Sequence, residues 1–191
     1  MNGIRHGREA ENKRDSHISI ASGSPNGTLA SRAPDMRCMD YFEKLDSFIR
    51  ENRVECQHIK FGKSCHSVSE AAEAANARED DFVKNICMVD SSSELIIAIV
   101  KGEDRASRTR VGKVLGIPRP EMASPEFMLE KSGYPAGGVP SFGYPARFLL
   151  DERVMEKEFV YGGGGSEDAL VRISPKELLK WNKAVVARIR D

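Results

Sequence analysis

Phe82-Val83-Lys84-Asn85-Ile86-Cys87-Met88-Val89 and Leu95-Ile96-Ile97-Ala98-Ile99-Val100, separated by a turn around Asp90-Ser91-Ser92-Ser93, form the stretch on which the fold turns. Two runs of branched and apolar residues joined by a short polar segment predict an antiparallel hairpin. The second run is apolar on both faces and therefore belongs in the middle of a sheet. The first carries an anomaly. Side chains alternate along a strand, so Lys84 shares a face with Phe82, Ile86 and Met88. Burying an unpaired ammonium is costly or shifts its pKa, so the position needs a partner, an opening or a function. An edge-strand lysine that snorkels to water meets the same pattern, and this segment alone does not choose.

Outward from the hairpin, helices and strands alternate. Phe42, Leu45, Phe48 and Ile49 fall on one helical face after Asp40. Val54 to Phe61 reads as a strand, and Ser67-Val68-Ser69-Glu70 is a capping box that opens an alanine-rich helix. Arg105 to Leu115 has Val111, Val114 and Leu115 at helical spacing, with Gly116 to end it. Ser124-Pro125 and Ser174-Pro175 each pair a capping serine with proline at the first helical position. Arg147 to Asp151 and Glu158 to Gly162 read as strands, the second running into Gly162-Gly163-Gly164-Gly165, read as a hairpin loop or a second ligand-approach segment. The class expected is α+β, without internal repeats.

The 191 residues carry 29 Lys plus Arg against 29 Asp plus Glu, so overall charge announces neither nucleic acid nor membrane, and any RNA contact must be local. Lys60, Lys63, Arg105, Arg108 and Arg110 could assemble such a local face; a solvated charged surface explains them as well. Residues 1–36 are rich in Ser, Gly, Asn and Arg and read as a disordered tail, with 37–191 as the folded domain; translation from Met36 or Met39 is an alternative. Cys38, Cys56, Cys65 and Cys87 lack C-x-x-C spacing and read as reduced thiols. His6, His17, His58 and His66 lack metal-ligand spacing, so no metal and no cofactor is expected. No apolar run is long enough to span a bilayer, and no secretory signal core opens the chain, so the expectation is a cytoplasmic protein without a membrane partner.

The segment Gly133-Tyr134-Pro135-Ala136-Gly137-Gly138-Val139-Pro140-Ser141-Phe142-Gly143-Tyr144-Pro145 is too rich in Gly and Pro for helix or central strand, and it predicts a shaped loop. Paired glycines let a backbone approach a ligand and aim amides at an anion or carbonyl; a tight corner is the plainer reading. The loop lacks the phosphate-binding G-x-x-x-x-G-K-[ST] form. No Ser/His/Asp or Cys/His set stands out, and Cys87 faces away from Lys84. One lysine with backbone amides could polarise a carbonyl beside water, chemistry suited to an already labile ester.

In order and spacing, the Val83-Lys84 strand, Ala123-Ser124-Pro125-Glu126, the Gly-Tyr-Pro-x-Gly-Gly-Val-Pro-x-Phe-Gly loop, Asp151 and Ile173-Ser174-Pro175-Lys176-Glu177-Leu178-Leu179 resemble the YbaK/ProX superfamily of aminoacyl-tRNA deacylases, which includes the editing domain of bacterial prolyl-tRNA synthetases. The resemblance spans roughly Asp40 to Trp181. It implies a mixed, barrel-like sheet with helices outside, and a trans-editing enzyme that hydrolyses the ester of a mischarged tRNA. The partners implied are that tRNA and a synthetase, with a monomer or a homodimer both open. Lys84 would neutralise the terminal phosphate or polarise the ester, and the amides of Gly138 and Val139 would hold the carbonyl or amine. Asn85, Gly137, Pro140, Ser141, Gly163 and Gly164 would line the substrate, and Asp151 would orient Lys84 or bind an α-amine. Asn85 stands where cysteine-specific relatives often carry threonine, and Ser141 replaces a second proline; both bear on amino-acid specificity. The competing readings are a non-catalytic module that binds tRNA or an aminoacyl group beside a synthetase, and a structural domain whose glycines only turn corners.

Overall fold

The computed structural model describes residues 40–61 and 67–191. The tail expected over 1–36, both alternative starts, Cys38, Cys65, Lys63, His6, His17 and His66 lie outside them. Helix α1, Tyr41–Asn52, is capped by Asp40, whose side chain accepts from the Phe42 N–H, and it buries Leu45 and Ile49. Strand β1, Cys56–Lys60, and helix α2, Val68–Ala75, follow. Ser67 and Glu70 form both halves of the predicted capping box, so two otherwise unpaired N–H groups are satisfied at once.

Strands β2, Val83–Val89, and β3, Leu95–Lys101, make the predicted hairpin, in register from Val83 opposite Lys101 to Val89 opposite Leu95. Every residue of β3 is buried. Helix α3 spans Arg108–Leu115, shorter at its start than the sequence pattern suggests. Ala106 is bridged to Arg190, and the Ser107 N–H binds the Ile189 carbonyl, so the chain is held extended until Ser107. Gly116, at φ 65°, ends the helix in the left-handed conformation that glycine adopts without penalty. The remaining elements are β4, Glu121–Met122; α4, Pro125–Ser132; β5, Arg147–Asp151; β6, Val160–Gly163; β7, Ala169–Ile173; α5, Pro175–Asn182; and β8, Val185–Ala187. Ser124 and Ser174 cap α4 and α5 by accepting from Phe127 and Glu177.

Among the described residues the strands divide into two sheets, ordered β1-β7-β6 and β4-β2-β3-β5-β8. These strands do not close into a barrel. The sheets meet through a single parallel bridge between Phe82 and Tyr161, after which β6 turns away through Gly164 and Gly165. The main core, including Leu45, Ile97, Ile99, Leu150, Val171 and Leu178, lies on the face of the larger sheet that carries Val83 and Cys87. The opposite face, with Met88, Ile96, Ala98 and Leu149, is covered by Val111 of α3 and by Ile189. Helix α2 lays Ala71 and Ala72 against Phe82 and Leu170, the close approach that its small residues permit.

Candidate functional site

The site begins with the hydrogen-bond parity of β2. In an antiparallel pair, each residue directs both backbone groups to the same side, and consecutive residues alternate. The Asp90 N–H binds the Glu94 carbonyl and the Gly102 N–H binds the Phe82 carbonyl, so even-numbered residues of β2 face β3. Odd-numbered residues face the outer edge. At one end of that edge the Cys87 carbonyl accepts from the Ala123 N–H and β4 pairs with Met88 and Val89; at the other, Phe82 is bridged to Tyr161. Between them, among the described residues, no strand lies alongside Asn85. The exposed stretch of edge lines a cleft of about 360 Å³ whose other walls include Val68, Met122, Met128, Gly137, Val139 and Gly163.

Lys84 lines this cleft and is half-buried, on the strand face that also carries Ile86 and Met88. Among the described residues it has no hydrogen-bond or ion-pair partner. Asn85 projects to the other face. Its Nδ2 donates to the Val139 carbonyl at 2.8 Å and its Oδ1 accepts from Ser141 Oγ at 2.9 Å. Asn85 therefore ties the glycine loop to β2. Cys87 sits at the buried end with its thiol pushed up to about 11 by burial, which keeps it protonated and a poor nucleophile near neutral pH.

The two glycine-rich segments, 25 residues apart in sequence, form one wall. The Gly165 N–H binds the Gly138 carbonyl at 2.8 Å. A Cβ on Gly138 would lie 2.7 Å from the Gly165 oxygen, and one on Gly163 would lie 2.3 Å from the Val139 oxygen. Only hydrogen fits there. The run read as a hairpin loop is thus half strand and half turn, packed backbone to backbone on Gly138 and Val139. His58 secures it further: Nε2 lies 2.8 Å from the Gly164 carbonyl, and the ring stacks on Phe42 at 3.9 Å.

Of the residues named from sequence, Lys84, Asn85, Gly137, Val139 and Gly163 meet at the cleft. Gly138, Pro140, Ser141 and Gly164 stand behind it as support. The Gly138 N–H donates to the Pro135 carbonyl at 3.2 Å, so this amide closes a turn and is not presented to a ligand. The Val139 N–H has no acceptor among the described residues. Pro140 offers its carbonyl to Tyr144 Oη at 2.8 Å, and the Ser141 carbonyl accepts from Asn182 Nδ2 at 3.1 Å.

Asp151 requires a correction. It is fully buried and accepts from the N–H groups of Arg153, Ile189 and Arg190 and from the Arg190 guanidinium at 2.6 Å. Burial pushes its carboxyl up, but those donors outweigh burial and hold it below its usual range. Its oxygens are committed to fastening the C-terminal segment, with none left for Lys84 or an amine. Of the basic face sketched from sequence, Lys60 pairs with Asp40 and Arg108 with Glu121, and Lys63 lies outside the described residues. Sequence reasoning missed Met122, Met128 and the N-terminal end of α2 as cleft walls, because only the fold brings them to β2. Among the described residues no three His, Cys, Asp or Glu side chains converge to hold a metal ion.

Comparison with known proteins gives this geometry its context. The aminoacyl-tRNA editing domain model matches residues 62–181, well over half of the chain. YwhH of Bacillus subtilis (strain 168), a protein without an assigned function, is 25% identical over 135 residues, 70% of this chain and 83% of its own length. The proline–tRNA ligase of Geotalea daltonii is 26% identical over 102 residues, which are 53% of this chain and only 18% of the ligase. A crystal structure of a candidate trans-editing enzyme for prolyl-tRNA synthetase superposes with a TM-score of 0.73 at 28% identity, covering 81% of this chain and 99% of the other.

Proposed function

The chain belongs to the aminoacyl-tRNA editing domain family, and from that premise we propose that it hydrolyses, in trans, the ester of a mischarged aminoacyl-tRNA. The observation that carries this reading is Lys84, without a partner among the described residues, at a cleft with an open strand edge on one side and a glycine wall on the other. A cation without a protein partner favours an anionic or carbonyl ligand, and an aminoacyl-tRNA end supplies both a phosphate and an ester.

In the proposed reaction Lys84 neutralises the terminal phosphate or polarises the ester carbonyl. The free N–H of Val139, and the edge N–H of Asn85, hold the carbonyl oxygen or, through their neighbouring carbonyls, the α-amine. Water attacks the carbonyl carbon, the bond to the ribose oxygen breaks, and that oxygen leaves with a proton, giving free amino acid and an uncharged tRNA. Asn85 acts by holding the Val139 peptide in place. The apolar walls, Val83, Met128 and Val139, support a small apolar side chain, and Glu167 is a carboxylate on the same lining. A partner synthetase for prolyl-tRNA is supported by the trans-editing relative and by the match to a proline–tRNA ligase.

The test is a deacylation screen with tRNAs charged by Ala, Cys, Ser, Thr and Pro, run beside Lys84→Ala. Release from at least one substrate, reduced by about 10²-fold or more in the variant, is the expected result for a lost charge contact at the reacting ester. Undiminished release by Lys84→Ala would overturn the role of Lys84. Binding of the whole panel without turnover would favour the non-catalytic module instead.

A further inference from the structure

A second concavity, of about 570 Å³, lies at the opposite end of α2 from the cleft, lined by Asn76, Arg78, Glu158, Phe159, Tyr161 and Arg172 among others. Its construction is specific. Tyr161 and Arg172 are register partners on β6 and β7, so their side chains rise from the same face of the small sheet. The Arg172 guanidinium lies over the Phe159 ring, 3.7 Å from its centroid, and Tyr161 stacks on Phe82 with centroids 5.0 Å apart. Among the described residues the Arg172 side chain makes no ion pair or hydrogen bond and rests on the ring beneath it. Arg78 is 79% exposed and reaches only Asp80, at 3.5 Å, a carboxylate already held by Lys101 and Lys157. Asp81, also in the concavity, is paired with Lys157 at 3.0 Å. Among the described residues the Arg172 guanidinium and the Glu158 carboxylate are thus left without an ion pair, and Arg78 holds only its contact with Asp80 at 3.5 Å.

We propose that this concavity is a nucleotide subsite that takes a base of the single-stranded 3′ end of the tRNA. A planar guanidinium already backed by an aromatic ring offers its other face for stacking a base. Arg78 is placed for a phosphate, and Glu158 and the Asn76 amide suit the exocyclic amines and ring acceptors of a base edge. The position also fits. Ser67 and Val68 at one end of α2 line the cleft, and Asn76 and Ala77 at the other line the subsite. Eight helical residues separate the two by about 12 Å, a span that a short single strand leading to the aminoacyl end can bridge. The inference rests on the reading of the cleft as an aminoacyl-tRNA site, and it explains how a chain of zero net charge holds a polyanion: by stacking more than by a basic face.

The deciding measurement is the Kd for uncharged tRNA, read by fluorescence anisotropy with wild type, Arg172→Gln, Arg172→Lys and Arg78→Ala, each first checked for an unchanged unfolding midpoint. Arg172→Gln should weaken binding about tenfold, the scale of one lost base stack, and Arg172→Lys should fail to restore it because an ammonium lacks the planar face. Arg78→Ala, on an exposed side chain, should reduce the salt slope by about one. Hydrolysis of an aminoacyl ester of adenosine alone, which lacks the upstream nucleotides, should be unchanged in all three. Wild-type affinity for tRNA in Arg172→Gln overturns the subsite. So does a variant that loses tRNA binding and hydrolysis of the minimal ester equally. Failure of wild type to hydrolyse any ester, with Arg172-dependent tRNA binding intact, overturns the deacylase reading and leaves the subsite standing.

Discussion

Replacing Asn85 by Asp changes the chemistry of one atom and almost nothing of the side chain's size. Nδ2 must be the atom that meets Val139, because a carbonyl only accepts, and it does so at 2.8 Å while Oδ1 accepts from Ser141. In Asn85→Asp an acceptor oxygen takes the place of that donor and faces the Val139 oxygen. Losing the bond and leaving a part-buried carbonyl unsatisfied costs about 1–3 kcal/mol. The new carboxyl escapes this by retaining its proton, so its folded pKa rises above the unfolded value of about 3.9. At about 1.4 kcal/mol per unit, the cost places the folded pKa at about 5 to 6. The native state then binds more protons than the unfolded one, so stability falls as pH rises from about 4 through that folded value, and the loss is complete near pH 7. Asn85→Ala loses both bonds without gaining a titrating group, and its deficit is independent of pH. Urea unfolding of wild type and both variants from about pH 4 to 8 reads the two profiles directly. A deficit in Asn85→Asp that stays constant with pH would refute the claim that this side chain pins the Val139 carbonyl.

Gly163→Ala sets a Cβ against the backbone oxygen of Val139 at 2.3 Å, whereas Gly162→Ala meets only side-chain atoms at 3.2 Å and beyond; chemical denaturation should show the first losing about 1–3 kcal/mol and the second markedly less. Equal losses would mean that the glycine wall is not close-packed. Hydrogen bonds from Lys101, then Lys157, hold the Asp80 carboxyl at about 2. Because its folded value is depressed, the stability it contributes is present above the unfolded pKa and is lost as pH falls from about 4 through about 2. Asp80→Asn should flatten that acid limb in a thermal-melt series; an unchanged limb would assign acid unfolding elsewhere.

What could be read from the sequence was local chemistry. Ser67, Ser124 and Ser174 cap helices because a serine oxygen reaches an N–H two or three residues away, and Gly116 ends α3 because it alone in that turn adopts positive φ freely. The hairpin of β2 and β3 follows from two apolar runs and the turn between them. Strand β7 carries an adequate local signal in Leu170-Val171-Arg172-Ile173, although the sequence reading omits it. Strand β8 has no such signal: Val185 and Val186 are exposed, and the strand exists because β5 offers it a parallel edge. Asp151 misled for a related reason. A carboxylate at a strand end resembles a site residue, and its partner Arg190 lies 39 positions away.

Lys84 and the glycine loop were each visible alone, but the site is made by where strands stop. Had β4 extended beyond Met88 and Val89, or β6 beyond its bridge at Phe82, the edge at Asn85 would be a closed ladder with no place for a ligand. The glycines matter in the opposite sense to the one their composition suggests. A free run of four glycines carries large backbone entropy, and ordering it on binding would draw down affinity. Here backbone packs on backbone at distances that exclude a Cβ, with the Gly165 N–H on Gly138, Asn85 on Val139 and His58 on Gly164. The wall that faces Lys84 is therefore already in place before any ligand arrives, as electrostatic stabilisation by fixed dipoles requires.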